Sequence, residues 1–162
     1  MKNGGCMLLP ATAQLEFIDQ MPLEATESVM RSVGNRLELP HPELAGCKVR
    51  ATGTTPIYVV DRKGFRRFIP FPLTFLNLFE DTAMLQVLVS SSVADISEGP
   101  PLDDGAVLIR GRSSERIYLL DGGKKRLITG QSVMHKYEFS EESVIVAPQI
   151  LVDAVPDGEI WE

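Results

Sequence analysis

The sequence predicts an α+β, strand-dominated tandem repeat, in which two ββ(hairpin)βαβ units and an N-terminal half unit pack as one compact body. A pattern of Ile, Tyr, two aliphatic residues and Asp fills residues 57–61 and returns at residues 117–121. Each copy is followed by a glycine turn and a basic strand. β-Branched and aromatic residues between turn residues are typical of strands. A pattern that recurs within one chain indicates a supersecondary unit that is used more than once.

The repeat divides the chain into an N-terminal half repeat (1–45), a first unit (46–104) and a second unit (105–162). Residues 48–50 align with residues 108–110 at an offset of 60, and beyond the hairpin the offset becomes 59. The offset changes because the first turn is one residue longer than the second. Surface turns tolerate such a change well.

Each unit is predicted to contain a strand, a turn, a second strand, a glycine hairpin, a third strand, one short helix, a fourth strand and an exit rich in proline and glycine. Apolar residues three or four apart predict the helices. Pro72 suits a first helical position, and Ser132 suits an N-cap. The aligned elements are the helices at residues 72–78 and 131–137 and the fourth strands at residues 87–89 and 144–146.

The first 45 residues match the back half of a unit that lacks its hairpin. Residues 8–10, with two leucines and a proline, can be aligned with residues 68–70 by apolar class and proline position. Residues 40–46 would then supply an exit like that of the first unit. Repeated units bury their apolar faces against neighbours, so a half unit can complete the packing at one end.

The composition is that of a soluble globular protein, with 162 residues, 44% hydrophobic and 23% charged. A chain of this length can bury a core without the help of a metal or a cofactor, and we expect neither. The apolar run at residues 84–89 is too short to span a bilayer, so no membrane insertion is expected. Pro10 and Gln14 interrupt the apolar stretch near the start, which leaves no export signal, and the chain as written is expected to be cytoplasmic.

Two cysteines and two histidines give no metal-binding pattern. Cys6 and Cys47 can be two separate buried thiols, which we favour, or they can form one bridge. His41 and His135 have no third nitrogen or sulfur ligand near them in the sequence, so no metal site is expected.

The net charge of −6 is strongly segregated along the chain. Residues 46–73 contain six basic residues and one acid, and residues 105–137 contain seven basic residues and two acids. Residues 74–104 and 138–162 contain six and seven acids respectively, with no basic residue. The basic hairpins can pack against acidic segments of a neighbouring unit, or they can form a face for an anionic partner. Nucleic acid is an unlikely partner, because the chain is acidic overall and has few aromatic residues.

The hairpins also contain the candidate binding residues. Tyr58 and Tyr118 recur at the same position and can be stacking platforms or half-buried side chains. Arg67 and Arg126 are expected to pair across the strands with Asp61 and Asp121 respectively. Trp161 is expected to pack under the second unit. The proposed ligand-binding set is Tyr58, Arg66, Arg67, Tyr118, Lys124, Lys125 and Arg126.

The hairpin segments IYLLDGGKKRLI (117–128) and IYVVDRKGFRRFI (57–69) carry a resemblance to known repeats. They resemble repeats of about 50 to 60 residues in secreted and surface-attached bacterial proteins, where forms such as VYLVDNGKKRPI accompany wall-acting or adhesive domains. The resemblance covers roughly residues 46–161. It implies an accessory, non-catalytic role at the cell surface.

No catalytic motif appears in the sequence, and the glycines at 122 and 123 join two strands rather than forming a phosphate loop. We therefore expect a non-enzymatic binding or adhesion module that recognises an anionic glycan or envelope polymer through its repeated basic hairpins. The alternative is a scaffolding or assembly subunit. Such a subunit would self-associate, or bind a protein partner, through its complementary basic and acidic halves.

Overall fold

Two four-stranded mixed sheets organise the computed structural model, which describes residues 39–80, 85–88 and 90–162. The protein is α+β and strand-dominated, as the sequence predicts. The half repeat predicted at residues 1–45 lies almost entirely outside the described residues.

The first sheet has the strand order β3-β2-β1-β4. Its hairpin strands are antiparallel, and β4 pairs in parallel with β1. A 3-10 helix, Pro42–Leu44, precedes β1. The elements are β1 Lys48–Ala51, β2 Ile57–Val60, β3 Arg66–Ile69, α1 Pro72–Leu78, β4 Leu85–Leu88 and α2 Ser90–Asp95.

The second sheet has the strand order β7-β6-β5-β8, with the same strand directions. Its parallel pair is β5 with β8. The elements are β5 Val107–Gly111, β6 Ile117–Asp121, β7 Lys124–Leu127, α3 Gln131–Tyr137, β8 Ile145–Ala147 and α4 Gln149–Ala154. None of the helices in the described ranges is long and apolar enough to cross a membrane.

The helices at residues 72–78 and 131–137 are confirmed, and Pro72 is the first residue of α1. The prediction of Ser132 as an N-cap is wrong, because α3 begins one residue earlier and is preceded by Gly130. Helices α2 and α4 are not predicted by the sequence. Each lies where the sequence predicts the end of the fourth strand and the exit that follows it. Ser90–Asp95 begins with three serines, which have modest helix propensity, so periodicity gave no signal there.

The expected alignment of the fourth strands is wrong by two residues. Arg50 pairs with Val87 in the first sheet, and Arg110 pairs with Val146 in the second. Val87 therefore corresponds to Val146 and not to Val144. Both segments are runs of similar aliphatic residues, and such runs contain nothing that fixes a register by sequence alone.

The main core lies between the two sheets. Val59 and Ile69 face it from the first sheet, and Leu108 and Leu119 face it from the second. The residues that α1, α3 and the chain end add to it are Phe75, Leu78, Met134, Tyr137 and Trp161. Trp161 is 5% exposed, which confirms that it packs. Both sheets thus depend on one shared cluster of apolar side chains.

Two phenylalanines join the two sheets' flanking segments at the centre of this core. Phe79 and Phe139 form an antiparallel bridge, and their rings stack with centroids 5.5 Å apart. The flanking backbone bonds run in both directions, because Glu80 N–H donates to the Glu138 carbonyl at 3.1 Å and Ser140 N–H donates to that of Leu78 at 2.9 Å. Backbone and side chains together fix the two sheets to each other here.

A smaller apolar cluster covers the outer face of the first sheet. Leu44 of the 3-10 helix and Ile96 beside α2 are both 1% exposed and close over Val49 and Val60. Cys47 belongs to this cluster and is disulfide-bonded, so the favoured interpretation of two separate thiols is wrong for Cys47. Cys6 lies outside the described residues. Sequence spacing could not decide between the two cysteine states.

The segment before the 3-10 helix lies against the first hairpin turn. His41 N–H donates to the Gly64 carbonyl at 2.8 Å, and a Cβ on Gly64 would lie 2.2 Å from the His41 nitrogen. Gly64 also has a φ of 86°. At the corresponding turn of the second sheet, Gly123 has a φ of 66°, and a Cβ there would meet nothing within 4 Å.

We predict that Gly64→Ala destabilises the protein more than Gly123→Ala. Both variants place a Cβ in left-handed backbone, which costs about 1–2 kcal/mol. Gly64→Ala also forces the 41–42 backbone away, which adds about 1–3 kcal/mol. Urea unfolding of both variants measures the difference. Equal losses of unfolding free energy would contradict the close contact between residues 41–42 and the Gly64 turn.

A second prediction concerns Tyr137, which is fully buried and whose hydroxyl lies 3.4 Å from the Glu162 carbonyl. Burial, with a smaller contribution from the Asp61 charge, raises the pKa of Tyr137 above its ordinary value. The unfolded chain therefore loses this proton near pH 10 while the folded chain keeps it, so stability falls as pH rises above about 10. Urea unfolding between about pH 8 and 11 should show a shallower decline for Tyr137→Phe than for the wild type. An unchanged slope would contradict this assignment.

Candidate functional site

The two predicted stacking tyrosines are half-buried, and each lies against a basic side chain of the neighbouring strand. The Arg66 guanidinium is 5.3 Å from the Tyr58 ring centroid, and the Lys125 ammonium is 5.8 Å from that of Tyr118. Tyr58 also packs on Phe68 at 5.7 Å. The chain itself therefore covers part of both rings, which favours the half-buried interpretation over a stacking platform.

The basic groups over these tyrosines are bonded to the helix that follows each sheet. Lys125 Nζ donates to the Val152 carbonyl of α4 at 3.0 Å and lies 3.5 Å from Asp157. The last four carbonyls of a helix lack helical partners, and cations there are favourable. Lys125 is only 8% exposed, so the expectation of a ligand contact there is corrected.

Arg66 occupies the corresponding position in the first sheet. It donates to the Val93 carbonyl of α2, and its Nη2 lies 3.1 Å from Glu98. Both terminal nitrogens of its guanidinium therefore already have partners within the chain. The same cation, carbonyl and acid recur in both sheets, which indicates a structural role.

Arg67 forms a buried ion pair with the second sheet. Its Nη2 lies 2.7 Å from Asp121 Oδ2, and the two residues are 6% and 2% exposed. Arg67 Nε also donates to the Pro100 carbonyl at 2.8 Å, and Asp121 Oδ1 accepts the Asp103 N–H at 3.0 Å. We refer to Arg67 and Asp121 as the inter-sheet ion pair. Arg67 is therefore not available to a ligand.

The expected pairing of Arg67 with Asp61 is wrong. Asp61 Oδ1 accepts the N–H groups of Lys63 and Phe65 at 2.9 and 3.0 Å and so closes the longer first turn. The expected pairing of Arg126 with Asp121 is confirmed as an ion contact, with Nε 3.3 Å from Oδ2. Its angle is too poor for a hydrogen bond, since Arg126 Nε has no such partner.

Lys48 makes a second polar contact between the sheets that the sequence did not indicate. It is 1% exposed, forms an ion pair with Glu138 and lies 5.0 Å from the Phe79 ring centroid. Its Nζ also donates to the Tyr137 carbonyl, at the end of α3, at 3.4 Å. This cation of β1 therefore caps α3.

The tip of the first hairpin is neutralised by the acidic chain end. Lys63 Nζ lies 2.7 Å from Glu159, and Arg62 Nη1 lies 2.5 Å from Glu162. The hydrogen bond from Lys63 lowers the pKa of Glu159. These contacts favour the interpretation in which basic hairpins pack against acidic segments of the neighbouring unit.

Lys124 and Arg126 are the predicted binding residues that stay accessible. Lys124 is exposed and has no ion pair within the described ranges, and Arg126 is half-buried. Both line a cavity of about 430 Å³ between the hairpins, together with Lys63, Glu98 and Glu159. The lining mixes both signs of charge, so this cavity between the hairpins is not uniformly basic.

An apolar groove lies beside the first sheet, between the β1–β2 loop, β3 and the start of α1. Its volume is about 450 Å³. Phe71 and Leu76 at its edge are 55% and 62% exposed, which is high for large apolar side chains. We define the apolar groove by Arg50, Pro56, Phe68, Pro70, Phe71 and Leu76. Pockets of this size and composition are typical of sites for small organic ligands.

Arg50 is the charged group of the apolar groove. It is half-buried, and among the residues that the structure describes it has no ion pair or side-chain hydrogen bond. Arg110 holds the corresponding place in the second sheet, and its Nη1 lies 3.5 Å from Glu115. Arg50 therefore has guanidinium donors that the chain does not use.

A groove lies at the same place beside the second sheet, with different chemistry. Its volume is about 680 Å³. The two grooves are alike only in the aliphatic residues at their base, which are Ile57 and Ile69 in the first and Ile117 and Ile128 in the second. Pro56 is matched by Arg116 and Phe71 by Gly130 at the offsets of the repeat. The polar residues that line this second groove are Ser113, Ser114, Glu115, Arg116, Thr129 and Gln131.

Sequence reasoning missed both grooves, because each forms where a loop, a strand and a helix start meet. One signal was present in the alignment. The Pro-Phe-Pro run at residues 70–72 aligns with Thr-Gly-Gln at residues 129–131, an apolar run against a polar one. Within the described residues, no three His, Cys, Asp or Glu side chains lie close enough to hold a metal ion.

No protein-family model, no curated protein and no solved structure matches this chain. Function is therefore inferred from the contacts within the chain itself.

We predict that removing Arg67 from the inter-sheet ion pair destabilises the protein strongly and that removing its neighbour Arg126 does not. Arg67→Met leaves Asp121 buried without a full partner, which costs about 3–5 kcal/mol. Arg126→Met removes a contact of poor geometry and should cost about 1 kcal/mol or less. Urea unfolding of the two variants tests this, and similar losses would show that Arg67 is not the dominant partner of Asp121.

Proposed function

We propose that the two sheets are copies of one tandem unit and that the protein is a non-enzymatic binding module. The common strand order supports this, and so do backbone bonds that recur at an offset of 59. Arg66 and Lys125 each donate at 2.9 Å to a residue of their own exit, Ser97 and Pro156 respectively. Phe68 and Leu127 each accept from their exits, at 2.9 and 2.8 Å.

The apolar groove is the proposed binding site, and the proposed ligand is a compact apolar molecule with one acidic group. The observation that carries this proposal is the unused guanidinium of Arg50 at the edge of a groove walled by proline, phenylalanine and leucine. Apolar walls supply the free energy of binding, and a few polar groups orient the ligand. A guanidinium forms two parallel hydrogen bonds with a carboxylate, which fits an acidic end group.

Recognition of an anionic glycan or envelope polymer is less well supported. It would depend on Lys124 and Arg126, since Arg67 and Lys125 are buried and bonded within the chain. A location at the cell surface, implied by the repeat resemblance, stays a proposal. The disulfide at Cys47 supports it, because disulfides persist in oxidising compartments.

The assembly alternative is also weaker than the groove. It requires basic and acidic halves that attract another copy or another protein. In the described part of the chain, the acidic end of the second unit already pairs with the hairpin tip of the first, through Lys63 with Glu159 and Arg62 with Glu162.

Two fluorescent probes of similar shape test the groove, namely 8-anilinonaphthalene-1-sulfonate, which is anionic, and N-phenyl-1-naphthylamine, which is neutral. We predict that Arg50→Gln weakens binding of the anionic probe about ten- to hundredfold, the loss expected for one charged hydrogen bond, and leaves the neutral probe unaffected. Arg110→Gln is the matched control and should change neither affinity. Leu76→Ser should weaken both probes, whereas Ile150→Ser, at an exposed site outside the groove lining, should weaken neither.

Unfolding midpoints of the four variants show whether each one is folded before its affinity is interpreted. The absence of saturable binding, or equal effects of Arg50→Gln and Arg110→Gln, would refute the apolar groove as the site. If Lys124→Ala abolishes binding of the anionic probe and Arg50→Gln does not, the cavity between the hairpins would be the binding site instead.

A further inference from the structure

The outer side of the second hairpin is open where that of the first is covered. In the first unit, residues 39–44, which we call the covering segment, run across the hairpin turn. Leu39 N–H donates to the Asp95 carbonyl at 3.3 Å, and Leu39 O accepts the Ser97 N–H at 3.0 Å. A third bond joins His41 N–H to the Gly64 carbonyl at 2.8 Å. Residues 39–41 of the covering segment thus add a short extended piece to the first unit, and the 3-10 helix Pro42–Leu44 follows it.

The corresponding place in the second unit is a cavity of about 460 Å³, which we call the open slot. Its lining consists largely of the counterparts of the residues that the covering segment contacts. These counterparts are Leu120 for Val60, Gly123 for Gly64, Ala154 for Asp95, Val155 for Ile96 and Pro156 for Ser97. The rest of its lining is Asp103, Asp104, Gly105 and the buried Asp121 of the inter-sheet ion pair.

Burial shows the effect of the missing cover. Val60 and Ile96 are 0% and 1% exposed, whereas Leu120 and Val155 are only half-buried. A Cβ on Gly123 would meet nothing within 4 Å, whereas one on Gly64 would collide with the covering segment. The second unit therefore exposes apolar surface that the first unit buries.

The chain before β5 cannot cover the slot, because it is bonded elsewhere. Gly99 N–H donates to the Arg66 carbonyl at 3.0 Å, and Leu102 N–H donates to that of Phe68 at 2.9 Å. Those residues extend the first sheet along β3. The next turn, at Asp103, donates its N–H to the inter-sheet ion pair at Asp121.

We propose that the open slot binds an extended peptide segment of a partner protein, apolar with a basic residue, in the manner of the covering segment. The carbonyls of Gly123 and Ala154 correspond to two acceptors that the covering segment uses. Pro156 replaces Ser97 and has no N–H, so the third backbone bond is lost and the peptide binds more weakly than the covering segment. This inference rests on the proposed equivalence of the two units and is independent of the apolar groove.

The acids at the edge of the slot select the charge of the peptide. Asp103 and Asp104 are both exposed, and Asp104 has no ion pair within the described residues. Asp103 Oδ2 accepts the Gly122 N–H at 2.8 Å, and this bond holds the carboxylate at the edge of the slot. The covering segment has an acid, Glu43, so a copy of that segment fits the open slot less well than a basic one.

Fluorescence anisotropy with two labelled peptides tests the proposal. One peptide has the sequence of residues 39–45, and the other has the same sequence with Glu43→Lys. We expect saturable binding of the lysine peptide, at least about fivefold tighter than that of the native peptide. Gly105→Phe, at a glycine whose Cβ would meet nothing within 4 Å, should fill the slot and abolish binding. Asp104→Lys should remove the preference for the lysine peptide, and Glu142→Lys, which makes the same charge change at another exposed site, should retain it.

No binding of either peptide at about 1 mM would overturn the proposal, as would equal effects of Asp104→Lys and Glu142→Lys. Sedimentation of the unliganded protein provides a further check. A dimer that disappears in Gly105→Phe would identify a second copy as the occupant and would also overturn it. Arg50→Gln should bind the lysine peptide as the wild type does, which separates this slot from the apolar groove.

Discussion

The inter-sheet ion pair of Arg67 and Asp121 constrains how the two sheets pack. Both charges are almost fully excluded from water. Arg67 also donates to the Pro100 carbonyl, and Asp121 also accepts the Asp103 N–H. Removing one charge leaves the other buried and poorly compensated, which is far more costly than losing a surface pair. Apolar contacts around Phe79 and Phe139 hold the sheets together, but such contacts tolerate small displacements better than a buried ion pair does. The ion pair therefore stabilises the observed packing of the two sheets relative to packings in which the sheets are slightly shifted.

This arrangement decides which charges face outward. Arg67 points into the junction, Lys48 caps α3, and Arg66 and Lys125 lie over tyrosines and bond to the helices behind them. Cations that appear as a basic face in the sequence are mostly internal contacts in the fold. Arg50, in β1 of the first sheet, has no ion pair or side-chain hydrogen bond within the described ranges. A functional role is therefore better supported for Arg50 than for the hairpin cations.

Local features of the fold could be predicted from the sequence, and contacts between units could not. The hairpins followed from β-branched residues ending at a glycine turn, and helices 72–78 and 131–137 followed from apolar spacing. The contact of Asp121 with Arg126 could be predicted, but its shorter contact with Arg67 could not, because only the packing of the two sheets brings Arg67 to it. Helix α4 was missed because its apolar residues continue directly from a strand, and α2 because it begins with serines. The apolar groove had a sequence signal only in the contrast between residues 70–72 and 129–131.

The two sheets have the same strand order and differ at the surfaces beside them. The first sheet has an apolar groove and a covered hairpin, whereas the second has a polar groove and an open slot. Changes such as Pro56 to Arg116 lie at loop positions, where side chains can change without loss of the core. The tyrosine and its cation are present in both sheets. The differences between the two sheets therefore lie at the surface, and the shared contacts lie within the fold.

A double-mutant cycle on Arg67→Met and Asp121→Asn tests the central claim most directly. Urea unfolding of the wild type, both single variants and the double variant gives the coupling energy between the two side chains. We expect a coupling of about 2 kcal/mol or more, with little change between about 50 and 300 mM salt, because the pair is shielded from solvent. A coupling below about 0.5 kcal/mol, or one that salt removes, would contradict the claim that this ion pair fixes the packing of the two sheets.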